Sequence, residues 1–416
     1  MKQPKSIHIY ADWAGLDGPQ QIGGARIDNV RGKEVMSFSY DPVWLKRGEP
    51  VLLDPKLYFS SGPQYAESAF GLFLDSAPDR WGRILIQRRE ALRARAEGRG
   101  ERTFSDSDYL LEVHDAGRMG AIRFKTDPDG PFCCDDGDLA APPLTALRNL
   151  EQAARQIEAA QPDDPASRQW LTLLLAPGTS LGGARPKANV MDTAGNLWIA
   201  KFPRQSDETD IGRWEAVVYH LAKDAGLETA NARKEQFSKF GHTFMVRRFD
   251  RMGQQRIHFA SALNLLGYQD GAGAKTGVSY LDLVDLIVRI SEDADSDLEQ
   301  LWMRIAFSVC VSNTDDHLRN HGFLLRNQGW RLSPVYDLNP QPWGDGLALN
   351  ISETSNALNL DLVREVAPFF RLSPNARDTR LRQIILAVTE WQKVARAHGV
   401  TQSEIDRMRP AFRTDS

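Results

Sequence analysis

The period of the hydrophobic pattern changes along the chain, and this change limits the possible folds more than any other feature. Residues 6–13 and 35–40 alternate apolar and polar side chains, which predicts half-buried strands. Residues 120–125 form another short strand pattern, and strand patterns return over 171–251. After about Ser279 the spacing is helical, with helices predicted at 280–290, 298–311, 379–398 and 402–408. We therefore expect a β-rich lobe followed by an α-rich lobe.

Composition and turn signals divide the chain further. At a typical ~100–200 residues per domain, 416 residues suggest two or three units. Residues 126–143 are rich in Asp, Gly and Pro and are the best linker candidate. Other expected elements are helices on either side of Pro78 and at 144–160, and a hairpin of strands 322–326 and 330–338. The predicted domains are 1–128, 144–255 and 256–416.

The overall composition excludes several protein classes. The chain has 51 basic and 55 acidic residues, a balance that does not indicate bulk binding to nucleic acid. The three cysteines, Cys133, Cys134 and Cys310, cannot form a disulfide framework, and a reducing cytoplasm fits best. The first residues have no apolar core of signal-peptide length, and no window approaches the ~20 apolar residues of a membrane span.

A polar segment after an apolar helix carries the first chemical motif. Residues 313–320 read NTDDHLRN, in which Asp315 lies five positions before Asn320. Phosphoryl-transfer enzymes use a carboxylate to accept the substrate proton and an amide or carboxylate oxygen to hold magnesium, and kinase catalytic loops have this spacing. The alternative is a polar turn that satisfies backbone donors.

Asp337 supplies a second candidate metal ligand. It follows Asn320 by 17 residues, across the predicted hairpin. Kinases place their main magnesium-binding Asp just after the catalytic loop, at the end of a strand. An Asp that supports a turn before Pro340 is the alternative.

Two basic motifs precede these acidic ones. Lys201 lies in an apolar strand, WIAKFP, where it could pair with phosphates and with Glu215 of the next helix. Residues 178–187, GTSLGGARPK, could bring backbone amides and Lys187 to phosphate oxygens. The alternatives are a surface lysine for Lys201 and a glycine-rich hairpin loop for residues 178–187.

His317 and His321 form HxxxH without the glutamate of a metalloprotease.

Taken together, these segments make the chain resemble the HipA family of serine/threonine kinases, the toxins of type II toxin–antitoxin pairs. The segments TSLGGARPK, WIAKFP, VRRFDR, NTDDHLRN and PVYDL occur in the family's order, and GLFLDSAPDRWGR and GAIRF resemble its N-terminal subdomain. The resemblance implies a two-lobed, protein-kinase-like α+β fold with a β-rich N-terminal region and a mostly helical C-terminal lobe.

The resemblance also implies residue roles. Asp315 would be the catalytic base, Asn320 and Asp337 would hold Mg²⁺, and Ser180 would be autophosphorylated. Other residues would bind ATP through the phosphate-covering loop, the strand lysine and the nucleotide pocket. These are Gly182, Gly183, Ala184, Arg185, Pro186, Lys187, Lys201, Arg247, Arg248, Phe249, His317 and Tyr336.

Partners and substrates follow from the same resemblance. It implies a HipB-like helix-turn-helix antitoxin, contact with DNA only through that antitoxin, and a protein substrate such as an aminoacyl-tRNA synthetase. Two alternatives stay open at this point: a small-molecule kinase, and a degenerate kinase that serves as a co-repressor. The presence of Asp315, Asn320, Asp337 and Lys201 argues against a degenerate kinase.

Overall fold

The structure of the protein is a computed structural model that describes residues 5–31, 33–48, 51–67, 69–135, 141–159, 167–175, 183–327 and 329–414. The chain divides into two compact units. The first unit comprises Met1–Gln205 and Asp250–Ala260, and the second comprises Ser206–Phe249 and Ser261–Ser416.

The strands, in chain order, are β1 (Lys5–Ala11), β2 (Gln20–Val30), β3 (Lys33–Tyr40), β4 (Gln64–Glu67), β5 (Ile122–Lys125), β6 (Lys187–Met191), β7 (Leu197–Lys201), β8 (Ala232–Ser238), β9 (Gly241–Arg247), β10 (Arg251–Met252), β11 (Gln255–Arg256), β12 (Phe259–Ser261), β13 (Gly322–Leu325) and β14 (Trp330–Leu332). The α-helices are α1 (Pro42–Leu45), α2 (Gly71–Leu74), α3 (Arg80–Ala96), α4 (Asp106–Leu111), α5 (Leu147–Ala159), α6 (Ser167–Leu174), α7 (Ile211–Asp224), α8 (Ala262–Leu265), α9 (Tyr280–Ile290), α10 (Ala294–Val311), α11 (Leu360–Val366), α12 (Pro374–Thr389), α13 (Trp391–Ala397) and α14 (Gln402–Met408).

An antiparallel five-stranded sheet, in the order β4-β3-β2-β1-β5, organises the start of the first unit. Alternate residues of β1 and β3 point into a hydrophobic core, as the period of two requires. Ile9 lies opposite Phe124 of β5, and both are buried, as is Phe38 of β3. β6 and β7 form an antiparallel pair later in the same unit.

A buried arginine ties together loops of the first unit. Arg118 has no exposed surface, and its guanidinium donates hydrogen bonds to the carbonyl oxygens of Ser76, Leu110 and Val113 at 2.9–3.0 Å. Burial lowers the pKa of Arg118 to about 10, which still leaves the group charged at neutral pH. Unpaired carbonyls would be costly to bury, so this side chain fixes three segments at once.

Gly120 contacts residues 250–260, the second of the two chain segments that make up the first unit. Its φ of +70° is in the left-handed region, and an added Cβ would lie 3.0 Å from the Phe259 nitrogen. The Gly120 N–H donates to the Asp250 carboxylate at 2.8 Å, and Arg251 donates to the main chain at Arg118. Only glycine combines this backbone conformation with this close approach.

The second unit is built around α10. This helix is buried along most of its length, begins at the cap Asp293, and contacts α9, α11 and α12. The Trp302 indole donates to the Val363 carbonyl at 2.9 Å. Near the end of the chain, Trp391 and Phe412 stack with ring centroids 4.1 Å apart. In the part of the chain that the structure describes, no helix is long and apolar enough to cross a membrane.

Most predicted elements are confirmed, and the α+β class is correct. Helices 280–290 and 402–408 have the predicted bounds, and α10 begins before 298 because Asp293 caps it. The predicted helix 379–398 is two helices, α12 and α13, which meet at Glu390.

Two strand predictions were wrong in part. The start of the strand predicted from residue 171 is the end of helix α6, because a short apolar run does not distinguish strand from helix. The strand predicted at 330–338 ends at Leu332, shortly before Pro334, which has no N–H for a ladder. The structure also contains β2, which the sequence analysis did not predict.

Candidate active site

The polar loop of the first motif begins where α10 ends. Ser312 adopts a left-handed conformation with φ of 49° and caps the helix by donating to the carbonyls of Ser308 and Val309. The apolar helix thus stops at Val311, and the next residues leave it as a loop. A short 3₁₀ turn, Leu318–Asn320, closes that loop before β13. We call residues 313–320 the catalytic loop, after the kinase segment that their sequence resembles.

The two adjacent aspartates of this loop have opposite environments. The Asp316 side chain is buried, and its carboxylate accepts from Tyr280 Oη at 2.8 Å and Ser308 Oγ at 3.4 Å. Nε2 of His321 lies 3.2 Å from its other oxygen. Asp315, by contrast, is exposed. Asp316 therefore supports the loop from inside, while Asp315 faces solvent.

The electrostatic surroundings of Asp315 favour its neutral form. Partial burial raises the pKa of Asp315, and the carboxylates of Asp337 and Asp316 raise it further, while His317 opposes them. Asp315 and Asp337 therefore repel each other when both carboxylates are ionised. A cation between them would remove the repulsion.

Asn320 is oriented by the catalytic loop itself. Its Nδ2 donates to the main-chain oxygen of Asp315 at 2.9 Å. Because the amide is planar, this bond turns Oδ1 in the other direction. The base candidate and one metal-ligand candidate are thus linked directly.

Asp337 has an unusual backbone for a residue other than glycine. Its φ is 58°, a conformation that costs free energy and is often found at functional sites. Asn339 donates to the Asp337 carboxylate at 3.2 Å, and the Asn339 N–H donates to Asn313 Oδ1 at 3.2 Å. Tyr336 Oη donates to the Arg319 carbonyl at 2.6 Å. The segment around Asp337 is therefore bonded to the catalytic loop.

Among the predicted nucleotide-pocket residues, the structure brings two aromatic rings together. Phe249 and Tyr336 have ring centroids 5.6 Å apart. Arg247 ends β9 and donates its N–H to the Asn231 carbonyl at 2.8 Å, and Arg248 is buried. His317 is half-buried beside Asp315. These residues all belong to the second unit.

The glycine-rich loop belongs to the first unit, and only its second half is described. Ser180 and Gly182 lie outside the described residues. Gly183 has φ of +104°. The Ala184 carbonyl accepts from Arg204, Arg185 donates to the Phe202 carbonyl at 3.1 Å, and the Pro186 carbonyl accepts from the Phe202 N–H at 2.9 Å. Several main-chain contacts therefore hold this half of the loop.

The Lys187 side chain is more deeply buried than that of a lysine that binds phosphate at the protein surface. It is 2% exposed, and its Nζ lies 2.9 Å from the carboxylate of Asp79, which also caps α3. The Trp81 indole donates to the Lys187 carbonyl at 3.1 Å. Lys187 pairs in register with Lys201, which ends β7 and is half-buried.

Sequence reasoning missed the residues that support the site. Asp316, Tyr280 and Asp79 were not assigned roles, and His321 was considered only as part of HxxxH. The available signal was weak: Asp79 lies in the segment DSAPDRWGR, but its partner is 108 residues away. Asp316 sits beside Asp315, and the motif alone does not say which of the two is buried.

Comparisons with known proteins identify the relatives of this chain. The family model described as HipA-like C-terminal domain matches residues 179–407, more than half of the chain. "Putative kinase Y4mE" of Sinorhizobium fredii is 30% identical over 148 residues, which cover 34% of this chain and 33% of that protein. A "Putative kinase" of Haemophilus influenzae is 25% identical over 201 residues, which cover 42% of this chain and 57% of that protein. The match thus spans about a third to just over half of these relatives.

A solved structure shares the fold. The HipA chain from a Shewanella oneidensis toxin–antitoxin complex of HipA, HipB and operator DNA is 17% identical. It covers 97% of this chain and 94% of its own, with a TM-score of 0.63. With the family-model match, this shows that the chain belongs to the HipA-like C-terminal domain family.

Proposed function

We propose that this chain is an ATP- and magnesium-dependent serine/threonine protein kinase and the toxin of a type II toxin–antitoxin pair. One observation carries the proposal: hydrogen bonds connect the exposed Asp315, the Asn320 amide and Asp337. The Asn320 amide donates to the Asp315 main chain, and Asp337 is bonded through Asn339 to Asn313 of the same loop. This is the set of oxygen donors and the carboxylate base that phosphoryl transfer requires.

Asp315 acts as the base in this proposal. Its carboxylate accepts the proton of a serine or threonine hydroxyl as the hydroxyl oxygen attacks the γ-phosphorus of ATP. The bond to the β–γ bridging oxygen breaks, ADP leaves, and the proton stays on Asp315 until solvent removes it. The exposure of Asp315 supports this role, because the buried Asp316 is occupied by its internal partners.

Asp337 and Asn320 would hold the magnesium ion, which neutralises the charge on the phosphates when it is bound. Their donor atoms fit, since carboxylate and amide oxygens are the hard ligands that magnesium prefers. The repulsion between Asp315 and Asp337 also fits a bound cation. Magnesium commonly takes one or two protein ligands and completes its shell with phosphates and water.

The remaining predicted residues would bind ATP. The proposed phosphate contacts are the loop from Gly182 to Lys187, together with Lys201. The Phe249 and Tyr336 rings, with Arg247, Arg248 and His317, would contact the adenine base. Because Lys187 is buried against Asp79, it would anchor this loop as well as supply positive charge to it.

The biological setting is proposed from the family. A HipB-like helix-turn-helix antitoxin would be the partner, and DNA would be reached through it, in a cytoplasmic system. The Shewanella oneidensis structure, a complex with HipB and operator DNA, supports this arrangement. A translation component such as an aminoacyl-tRNA synthetase is the proposed substrate, and autophosphorylation of Ser180 is the proposed off-switch.

Replacing Asp337 with alanine tests the magnesium site. We expect the Kd of the magnesium–ATP complex, measured by calorimetry, to rise at least about 10- to 100-fold, because losing even an outer-shell partner of a metal ligand has that effect and this change removes a direct ligand. Asp345→Ala is the matched control, since Asp345 is exposed and the charge change is the same. Unchanged affinity in Asp337→Ala would exclude the proposed metal role.

Phosphorylation of Ser180 is expected to lower nucleotide affinity. A phosphate adds about −1.5 to −2 charges at pH 7, which would repel the ATP phosphates or draw Arg185 or Lys187 away. Mass spectrometry after incubation with magnesium and ATP should find the modified serine in the wild type and not in Asp315→Asn. If Ser180 stays unmodified, or if the phosphorylated protein binds ATP equally well, self-inactivation by this route is wrong.

A further inference from the structure

One tryptophan near the catalytic loop is displayed to solvent. Trp343 is 75% exposed, the highest exposed fraction among the large apolar side chains of the described residues. Single exposed apolar residues are common and carry no meaning alone. What distinguishes Trp343 is the way in which its segment is attached to the catalytic loop.

The backbone before Trp343 is restricted by two prolines and bonded to the catalytic loop. Pro340 and Pro342 restrict φ at two positions of the segment. The Asn339 N–H donates to Asn313 Oδ1 at 3.2 Å, and the Gln341 N–H donates to the Ser312 carbonyl at 3.0 Å. These acceptors lie at the end of α10 and at the start of the catalytic loop, so the loop and the tryptophan form one framework.

A close contact on the other side of Trp343 completes the attachment. An added Cβ on Gly344 would lie 2.4 Å from Thr314 Cγ2 and 2.6 Å from Thr314 Oγ1, so there is room only for glycine. Thr314 directly precedes Asp315. Two Cα–Cα steps of about 3.8 Å and this contact place the Cα atoms of Trp343 and Asp315 within roughly 14 Å of each other.

This separation corresponds to about four residues of an extended peptide, at about 3.3 Å per residue. A polypeptide whose hydroxyl reaches Asp315 could therefore also reach the indole of Trp343. A small metabolite would instead be expected in a concave pocket that encloses it. Trp343 projects into solvent and suits a larger partner.

We propose that Trp343 is a specificity-determining residue that binds the protein substrate, by packing on an apolar side chain within about four residues of the phosphorylated serine or threonine. The inference rests on the proposed kinase function and names the substrate class of that site. Tryptophan offers a large, rigid contact area at a low cost in conformational entropy, which is why it is common among residues that dominate binding energy.

The test uses the full chain and a peptide library centred on serine or threonine, with each of four positions on either side fixed in turn as one amino acid. We expect the wild type to prefer an apolar residue at one of these positions. Trp343→Ala should lose that preference, and its KM for the preferred peptide should rise tenfold or more, with kcat and the Kd for magnesium–ATP unchanged. Trp343→Phe should keep most of the preference.

Tyr58→Ala is the matched control, because Tyr58 is 74% exposed and lies in the first unit. Equal KM and equal peptide preference in wild type and Trp343→Ala would overturn the inference. So would peptide phosphorylation without any apolar preference, or ATP binding without phosphorylation of any peptide. If light scattering gives different molecular masses for wild type and Trp343→Ala, the residue acts in self-association and the inference is overturned. Absence of magnesium–ATP binding in the wild type would refute the proposed function itself.

Discussion

Replacing Asp315 with asparagine is expected to slow phosphoryl transfer by roughly 10²- to 10⁴-fold, the usual contribution of a positioned general base. Asparagine keeps the shape of the side chain but cannot accept the proton. Because Asp315 is exposed, the substitution should leave the melting temperature close to that of the wild type. The measurement is the initial rate of transfer from ATP to a protein or peptide acceptor, at saturating nucleotide.

Nucleotide binding separates this result from a general loss of structure. Asp315→Asn should still bind magnesium–ATP, and the loss of one negative charge beside Asp337 should not weaken that binding. A rate within a factor of about three of the wild type would show that Asp315 is not the base.

Replacing Asp316 with alanine is expected to have the largest effect on folding. The change leaves the buried Tyr280 hydroxyl and the His321 ring without their carboxylate partner. Breaking such a buried network typically costs about 3–5 kcal/mol. Thermal unfolding followed by circular dichroism should therefore show a melting temperature lower by roughly 10 °C.

The control for this variant is Asp285→Ala, which removes an exposed aspartate from α9, the helix that carries Tyr280. That change should shift stability by less than about 0.5 kcal/mol. Equal melting temperatures for the Asp316 and Asp285 variants would contradict the supporting role of Asp316.

The pH dependence of the Asp316 contribution follows from its pKa. Burial would raise the pKa of Asp316, but the His321 imidazole and the Tyr280 hydroxyl outweigh burial and hold the pKa below its usual value. A lowered pKa in the folded state gives stability that is present above the unfolded pKa of about 3.9 and is lost as the pH falls through the folded pKa. The stability difference between wild type and Asp316→Asn should therefore shrink below about pH 4.

The sequence predicted long periodic elements well and isolated elements poorly. Helices such as α9 have a strong apolar face and a cap, here Ser279, so local information sufficed. Strand β2 contains Gly23 and Gly24, which interrupt the apolar alternation, and its pairing with β3 is not a local property. The short apolar run before the glycine-rich loop fits a strand as well as a helix, because its length does not decide between the two forms.

Prediction of the candidate site is limited in the same way, because the sequence gives local spacing but not contacts between distant segments. The spacing of Asp315 and Asn320 is local, and the structure links both residues through one hydrogen bond. The partners of Lys187 and Asp316 come from distant segments, Asp79 and Tyr280, so no spacing rule could indicate that both charges are buried. Likewise, the exposure of Trp343 depends on contacts that its own segment makes with the catalytic loop.

Because Asp315 is exposed and Asp316 is buried, substitutions at the two positions should have different effects on the amount of protein in a cell. Under the proposed mechanism, a chain that loses the Asp315 carboxylate would persist at normal abundance as an inert protein that can still occupy any partner of the wild type. A chain that loses the buried carboxylate would unfold more often, and proteases and chaperones would remove it, since a change of 1–2 kcal/mol already alters steady-state abundance several-fold. Substitutions one position apart would thus differ in dominance: the first could titrate a partner away from the wild-type chain, whereas the second could not.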